Sequence, residues 1–183
     1  DVKESLDSTT YRMYYRTDDK KTAFLLSYTI DDAVVIHNDV AELYWTFIGQ
    51  DYIDEINNLN IRVYLPNEDN SEYFRIWAHG DLTGEINKYD NFYIEATANR
   101  IFPNSPVDIR TTFDKSLINE ESTLDHSNTD ALDKIIEVET KRANEANRKR
   151  KINKVLYFIT LIISGIIFLW QIISIILIYL KYD

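Results

Sequence analysis

The chain has 183 residues, no cysteine, three histidines and a formal net charge of −10. Lack of cysteine excludes disulfide staples, thiolate zinc sites and cysteine nucleophiles together. Residues 1–130 carry 11 Lys and Arg against 25 Asp and Glu, whereas residues 131–183 carry 9 basic against 5 acidic side chains. The N-terminal part is therefore expected to repel nucleic acid and anionic lipid, and no nucleic-acid partner is expected.

Residues 1–10 show no periodicity and are expected to fray. A β domain is expected over 11–115, because hydrophobic residues then recur with strand period. Ala23–Ile30, Ala33–Ile36 and Glu42–Phe47 are apolar enough for buried strands. Ile61, Val63 and Leu65 share one face against Arg62 and Tyr64. The same alternation returns at Phe74, Ile76 and Ala78, at Phe92, Ile94 and Ala96, and at Val107, Ile109, Thr111 and Phe113. Asp108, Arg110 and Thr112 take the opposite, outward face. Asp51–Asn58 is expected to hold one helical turn, Pro66–Ser71 a loop, and Asp90–Asn91 a tight hairpin. Seven or eight short strands separated by turns predict an antiparallel, Ig-like β-sandwich.

Residues 116–129 are polar and aperiodic, a linker. Residues 130–154 change to charge-dense helix formers, with Asp130–Lys134, Glu137–Lys141 and Glu145–Lys149 as acid-before-base pairs. Leu132, Ile135 and Ile136 give this helix a short apolar stripe at its start. Residues 155–180 contain no charge, and their 26 residues would span about 39 Å as a helix, enough to cross a hydrocarbon core of about 30 Å. The helical stalk is expected to run straight into this transmembrane helix.

One face of the apolar run is polar. Thr160, Ser164, Gln171 and Ser174 fall within about 80° of one another around a helix. Such a stripe suits helix–helix contact in lipid, although Ser and Thr can equally bond their own helix. Lys and Arg cluster ahead of the span, which by charge alone puts the β domain inside. A long domain behind a cleaved signal is nevertheless translocated largely regardless of charge. A start at Asp1 and a stop just beyond the span are what a fragment of a longer protein, its signal removed, would show.

Asp39–Gly49 (DVAELYWTFIG), Asn60–Pro66 (NIRVYLP) and Ile76–Gly84 (IWAHGDLTG) together resemble the N-terminal domain of YciQ-like predicted bacterial membrane proteins, domain of unknown function 2207. The resemblance covers roughly Thr22–Phe113 and continues more weakly into the charged helix. It implies an extracytoplasmic β-sandwich behind a cleaved signal peptide, followed by a membrane helix and further membrane segments. It implies no activity.

Candidate chemistry is sparse. His79-Gly80-Asp81-Leu82-Thr83-Gly84 could line a pocket, glycine permitting close backbone approach, or simply form a hairpin corner. Tyr44 and Trp45, with Phe47, could form an aromatic platform for a sugar or peptide, or belong to the core. His37 with Asp39, and the pairs Asp31–Asp32 and Asp54–Glu55, lack metal-ligand spacing. Hydrolase elbows, phosphate loops and zincin motifs do not occur, so no catalytic residue, metal or cofactor is assigned. The expected role is a membrane-anchored extracytoplasmic binding or assembly module of a larger bacterial protein, with an unknown envelope ligand or protein partner. A structural homo-oligomer joined through the Gln171 face is the first alternative, and a cell-wall glycan hydrolase the second.

Overall fold

The computed structural model describes residues 2–4, 9–11, 14, 16, 21–80, 84–118 and 125–182. The chain divides into two compact units, Asp1–Ile30 and Asp31–Asp183. In the first unit β1 (Val2–Glu4) pairs antiparallel with β2 (Thr9–Tyr11); residues 1 and 5–8 of the segment expected to fray lie outside the described residues. Ala23–Ile30 is not a strand: it has no regular structure, and Leu25 is 94% exposed. Apolar content alone misled here, because a run of hydrophobic side chains specifies burial but supplies no pairing partner.

The second unit is sandwich-like, built from a five-stranded and a three-stranded sheet. The larger sheet has the order β10 (Asp125–His126), β3 (Val34–Ile36), β4 (Ala41–Ile48), β9 (Val107–Phe113), β6 (Arg75–His79). It is mixed, since β10 runs parallel to β3 while its other neighbours are antiparallel. The smaller sheet orders β5 (Ile56–Tyr64), β8 (Tyr93–Ile101) and β7 (Glu85–Tyr89), all antiparallel. Ile61, Leu65, Phe74, Ile94, Ala96, Val107, Ile109 and Phe113 are buried between the sheets, as their period-2 pattern dictates. Asp90 and Asn91, both at positive φ, close the β7–β8 hairpin, and the Phe92 amide donates to the Tyr89 carbonyl. Positive φ at both central residues is the type I′ geometry that matches strand twist. Phe92 thus lies in the turn and not in β8.

Residues before β5 form turns with no helical turn among them; the sequence passes straight into the strand. Along the polar stretch 116–129, Lys115–Leu117 forms a 3-10 turn and Asp125–His126 adds β10 beside β3, while residues 119–124 of the expected linker lie outside the described residues. From there α1 (Leu132–Tyr182) runs unbroken for 51 residues, about 76 Å at the α-helical rise. Its apolar part is long enough to cross a membrane and none of that window is buried.

The outward face of the larger sheet is not solvated as the alternation suggests. Thr112 is fully buried and Arg110 keeps only 13% of its side chain exposed. The beginning of α1 contributes to this burial: Ala131, Ile135 and Glu139, four residues apart, are all buried. That spacing puts them one above another on one helix face.

Candidate functional site

Two features meet where α1 starts. One is a chain of ion pairs, the other a cavity at the open edge of the sandwich.

The helix N-terminus is capped from a distance. Ala131 and Leu132 donate their backbone amides to the two carboxylate oxygens of Asp39, at 2.9 and 2.8 Å. The first amides of any helix lack intrahelical acceptors, and a carboxylate there satisfies them and complements the helix dipole. Burial pushes the Asp39 carboxyl upward, but the bonds from Ala131 and Leu132 outweigh it and hold the group below the usual aspartate range. The Asn38 amide donates to Thr129, and Lys115 donates to the Asn38 carbonyl, lacing the same corner.

Two turns on, Glu139 enters the sheet's outer face. Its Oε1 accepts from Arg110 Nη1 at 2.9 Å and Arg142 Nη1 at 3.2 Å, and its Oε2 from His79 Nε2 at 2.7 Å. Arg110 also donates through Nε to Glu42 at 2.7 Å, and His37 Nε2 lies 2.9 Å from the other Glu42 oxygen. The result is a continuous row, His37–Glu42–Arg110–Glu139–His79, crossing from the β3–β4 corner to the sheet edge. Tyr44 roofs it: its ring lies 5.2 Å from the Arg110 guanidinium carbon and meets His79 edge-on at 5.8 Å. Burial raises the Glu139 carboxyl, yet the His79 and Arg110 bonds hold it below the usual glutamate range.

This arrangement limits the chemistry. Both oxygens of Glu139 are engaged, so it is no free base. The Nδ1 atoms of His37 and His79 are buried and make no hydrogen bond to any described residue. Each Nε2 faces a carboxylate, so the neutral ring carries its proton on Nε2 and leaves Nδ1 a bare, enclosed acceptor. Among the described residues no three His, Asp or Glu side chains converge as metal ligands.

The cavity, about 570 Å³, opens beside this row. On one side it reaches between the sheets, against Leu59, Ile76, Ile86, Ala96, Ala98 and Ile101; on the other it meets Tyr44, His79, Glu139 and Arg142. It wraps around β6, an edge strand, where the chain crosses from one sheet to the other. Gly80 and Gly84 bound that crossover, and residues 81–83 of the expected His79–Gly84 site lie outside the described residues. Gly80 sits at φ +151°, and a Cβ there would stand 3.1 Å from the Pro106 carbonyl oxygen. That backbone conformation and that contact both call for glycine.

Of the residues singled out from the sequence, Tyr44, His79, Gly80 and Gly84 thus converge on one cavity. Trp45 does not join them. It pairs with Ile109 on the inner face, whereas Tyr44 pairs with Arg110 on the outer, so the two neighbours form no common platform. Sequence reading missed Asp39 as a cap and Glu42, Arg110 and Glu139 as a network. One signal was present: Glu139 continues the Ala131–Ile135 stripe by four residues, a charge where the pattern asks for an apolar side chain.

In the apolar part of α1, Thr160 donates to the Tyr157 carbonyl at 2.7 Å, Ser164 to Leu161 at 2.9 Å and Ser174 to Trp170 at 2.8 Å. These hydroxyls are satisfied within their own helix. The Gln171 carboxamide makes no hydrogen bond to any described residue.

No curated protein and no solved structure matches the chain. The family model described as the predicted membrane protein (DUF2207) N-terminal domain matches residues 1–113. That match spans the first unit, every strand of the two sandwich sheets except β10, and the residues Glu42, His79 and Arg110 that receive the helix. The chain belongs to this family of predicted membrane proteins.

Proposed function

We propose that the chain is a non-catalytic, membrane-anchored binding and assembly module, with an Ig-like sandwich outside the cytoplasm. The observation that carries this reading is the clasp between Glu139 and the sheet. The same unbroken helix that forms the membrane-spanning candidate is gripped at its start by Asp39, Arg110 and His79. A domain joined to its anchor by a flexible linker can bind a partner but passes little force or rotation onward. A domain whose sheet holds the helix through buried charge pairs moves with it. Occupancy at the β6 edge, where the cavity touches Tyr44, His79 and Arg142, would therefore bear directly on the helix. The engagement of both Glu139 oxygens and the burial of His79 Nδ1 support binding over hydrolysis.

Placement is tested with a single cysteine. Asn67→Cys, on the exposed loop between β5 and β6, introduces the sole thiol among these 183 residues, and any cysteine elsewhere in the gene product is replaced by serine. In intact cells making the full-length gene product, a membrane-impermeant maleimide should label it. Labelling only after cell breakage would put the sandwich in the cytoplasm and end the envelope-receptor reading.

A second reading, a homo-oligomer joined in the membrane, is favoured by one observation. Gln171 sits unpartnered within the apolar run, where a carboxamide is best satisfied by a neighbouring helix.

A further inference from the structure

The wall of the cavity is in two parts that differ in chemistry. Its deep part is aliphatic, and Ala78, which lies on the inner face of β6, is nevertheless exposed. Ala96 and Ala98 line the same space from β8. Interiors are normally filled to crystal-like density, so small side chains facing an open apolar space leave room for something else. At about 570 Å³ the space is within the range of ligand sites, roughly 300–1,000 Å³.

The outer part of the wall is α1 itself, through Arg142, Ala143, Ala146 and Arg150. From Ala146 to Val155, where the charge-free run begins, is nine residues, about 14 Å of helix. The polar layer of a bilayer is about 5–8 Å deep on each side. The cavity therefore opens close above the membrane surface. Arg148, Lys149, Arg150, Lys151 and Lys154 occupy the interval, and basic residues at that level attract anionic headgroups. The sandwich is acidic as a whole, so the attraction is confined to this segment. Of the acidic groups on the rim, Glu139 is paired with Arg110 and Arg142, while Asp108, which accepts from the Thr46 hydroxyl, and Glu85 keep their charge on the sheet side of the mouth.

We propose that this cavity takes the acyl chain of an anionic membrane lipid, with the headgroup held at the Arg142–Arg150 side of the mouth. The proposal rests on the binding-module reading and names the ligand class for its site. It makes the lipid a wedge between the sheet edge and the helix that the clasp holds.

Trp77 lines the cavity and reports on it. In the full chain with Trp45→Phe and Trp170→Phe, Trp77 is the sole tryptophan. Purified in detergent, this protein is titrated with chain-brominated phosphatidylglycerol and, separately, chain-brominated phosphatidylcholine. The expected result is saturable loss of most Trp77 emission with the anionic lipid at concentrations where the neutral one quenches little. Ala98→Phe, filling the cavity from the sheet, should abolish the loss; Ala146→Phe, filling it from the helix, should do the same without touching the sandwich core. Absence of quenching by either lipid overturns the proposal. So does quenching that survives both fillings, which would mark general micelle contact. Equal quenching by both lipids overturns the anionic selection. A negative result here leaves the clasp intact, whereas cytoplasmic protection of the loop cysteine would refute the placement and not the cavity.

Discussion

The docked start of α1 and its apolar continuation are one helix in two settings, and their polar side chains behave in opposite ways. In the docked segment Glu139 reaches outward to Arg110 on β9 and His79 on β6, and Asp39 reaches in to cap the first amides. In the apolar segment Thr160, Ser164 and Ser174 turn back to their own helix, leaving Gln171 the one side chain of the stripe without a partner among the described residues. The first segment is therefore specified by this chain's own fold. The second is specified by length and oiliness, and a specific polar contact for Gln171 has to come from a side chain outside the described residues. A helix continuous through both parts carries the orientation set at the sheet down to the membrane.

The sharpest way to break this contrast is at Arg110. Removing it takes away the cation that Glu42 and Glu139 share, two carboxylates with 11% and 1% side-chain exposure, leaving His37 to face one and His79 and Arg142 the other. Losing one partner of a buried pair costs about 3–5 kcal/mol, because the other charge remains buried. Arg110→Met should lower sandwich stability by about that amount. Triple replacement, Glu42→Leu, Arg110→Met and Glu139→Leu, should recover much of it, since apolar residues of similar size often match a buried ion network. Denaturant unfolding of the full chain in detergent, followed by tryptophan emission, reads both. If Arg110→Met alone is neutral, the row is solvated and the clasp does not exist.

Acid should loosen the clasp more gradually. Glu139 and Asp39 both titrate below their ordinary ranges when folded. A depressed folded value means the unfolded chain binds more protons across the interval, so stability rises with pH there. The contribution is complete above the ordinary carboxylate range and drains away as pH falls through it toward the folded values. Around Glu139 the groups that matter are His79, Arg110 and Arg142; around Asp39 they are His37 and the helix amides. Thermal midpoints measured downward from about pH 6 should fall below about pH 5. Asp39→Asn with Glu139→Gln should flatten that fall, while midpoints at neutral pH drop. An equally steep fall in the double variant would assign the acid sensitivity elsewhere.

The contrast also explains how much could be read before the fold was known. Strand faces were legible because alternation is local: Ile61, Val63 and Leu65, or Val107, Ile109 and Phe113, declare a buried face without knowledge of a partner. The Asp90–Asn91 turn was legible for the same reason. The docking of α1 was not, because Asp39 and Ala131 are 92 positions apart and Arg110 reads as solvent-facing until a helix covers it. Ala23–Ile30 failed in the other direction, apolar enough for a strand but paired with none. Among the site residues, Tyr44, His79, Gly80 and Gly84 were found as suggestive types, and only the third dimension gathers them at one edge. Trp45 was grouped with Tyr44 by adjacency, which in a strand is what separates side chains.

The smallest expected effect lies in the apolar segment, and it sharpens the comparison instead of breaking it. If the membrane part takes its specificity from another copy, Gln171 is the group that provides it, since the three hydroxyls are already satisfied. Interhelical polar contacts in lipid are worth about 0.6 kcal/mol on average and about 1–2 kcal/mol in model peptides. Gln171→Leu should therefore shift a monomer–dimer equilibrium in detergent about threefold to thirtyfold toward monomer. Thr160→Val and Ser174→Ala should move it little. Sandwich stability should stay unchanged in all three, because no described residue of the sheets touches this part of the helix. Native mass against protein concentration reads the equilibrium. A monomer in both parent and Gln171→Leu protein would mean that Gln171 joins no second copy, leaving the clasp as the part of the helix whose orientation is set by specific polar contacts.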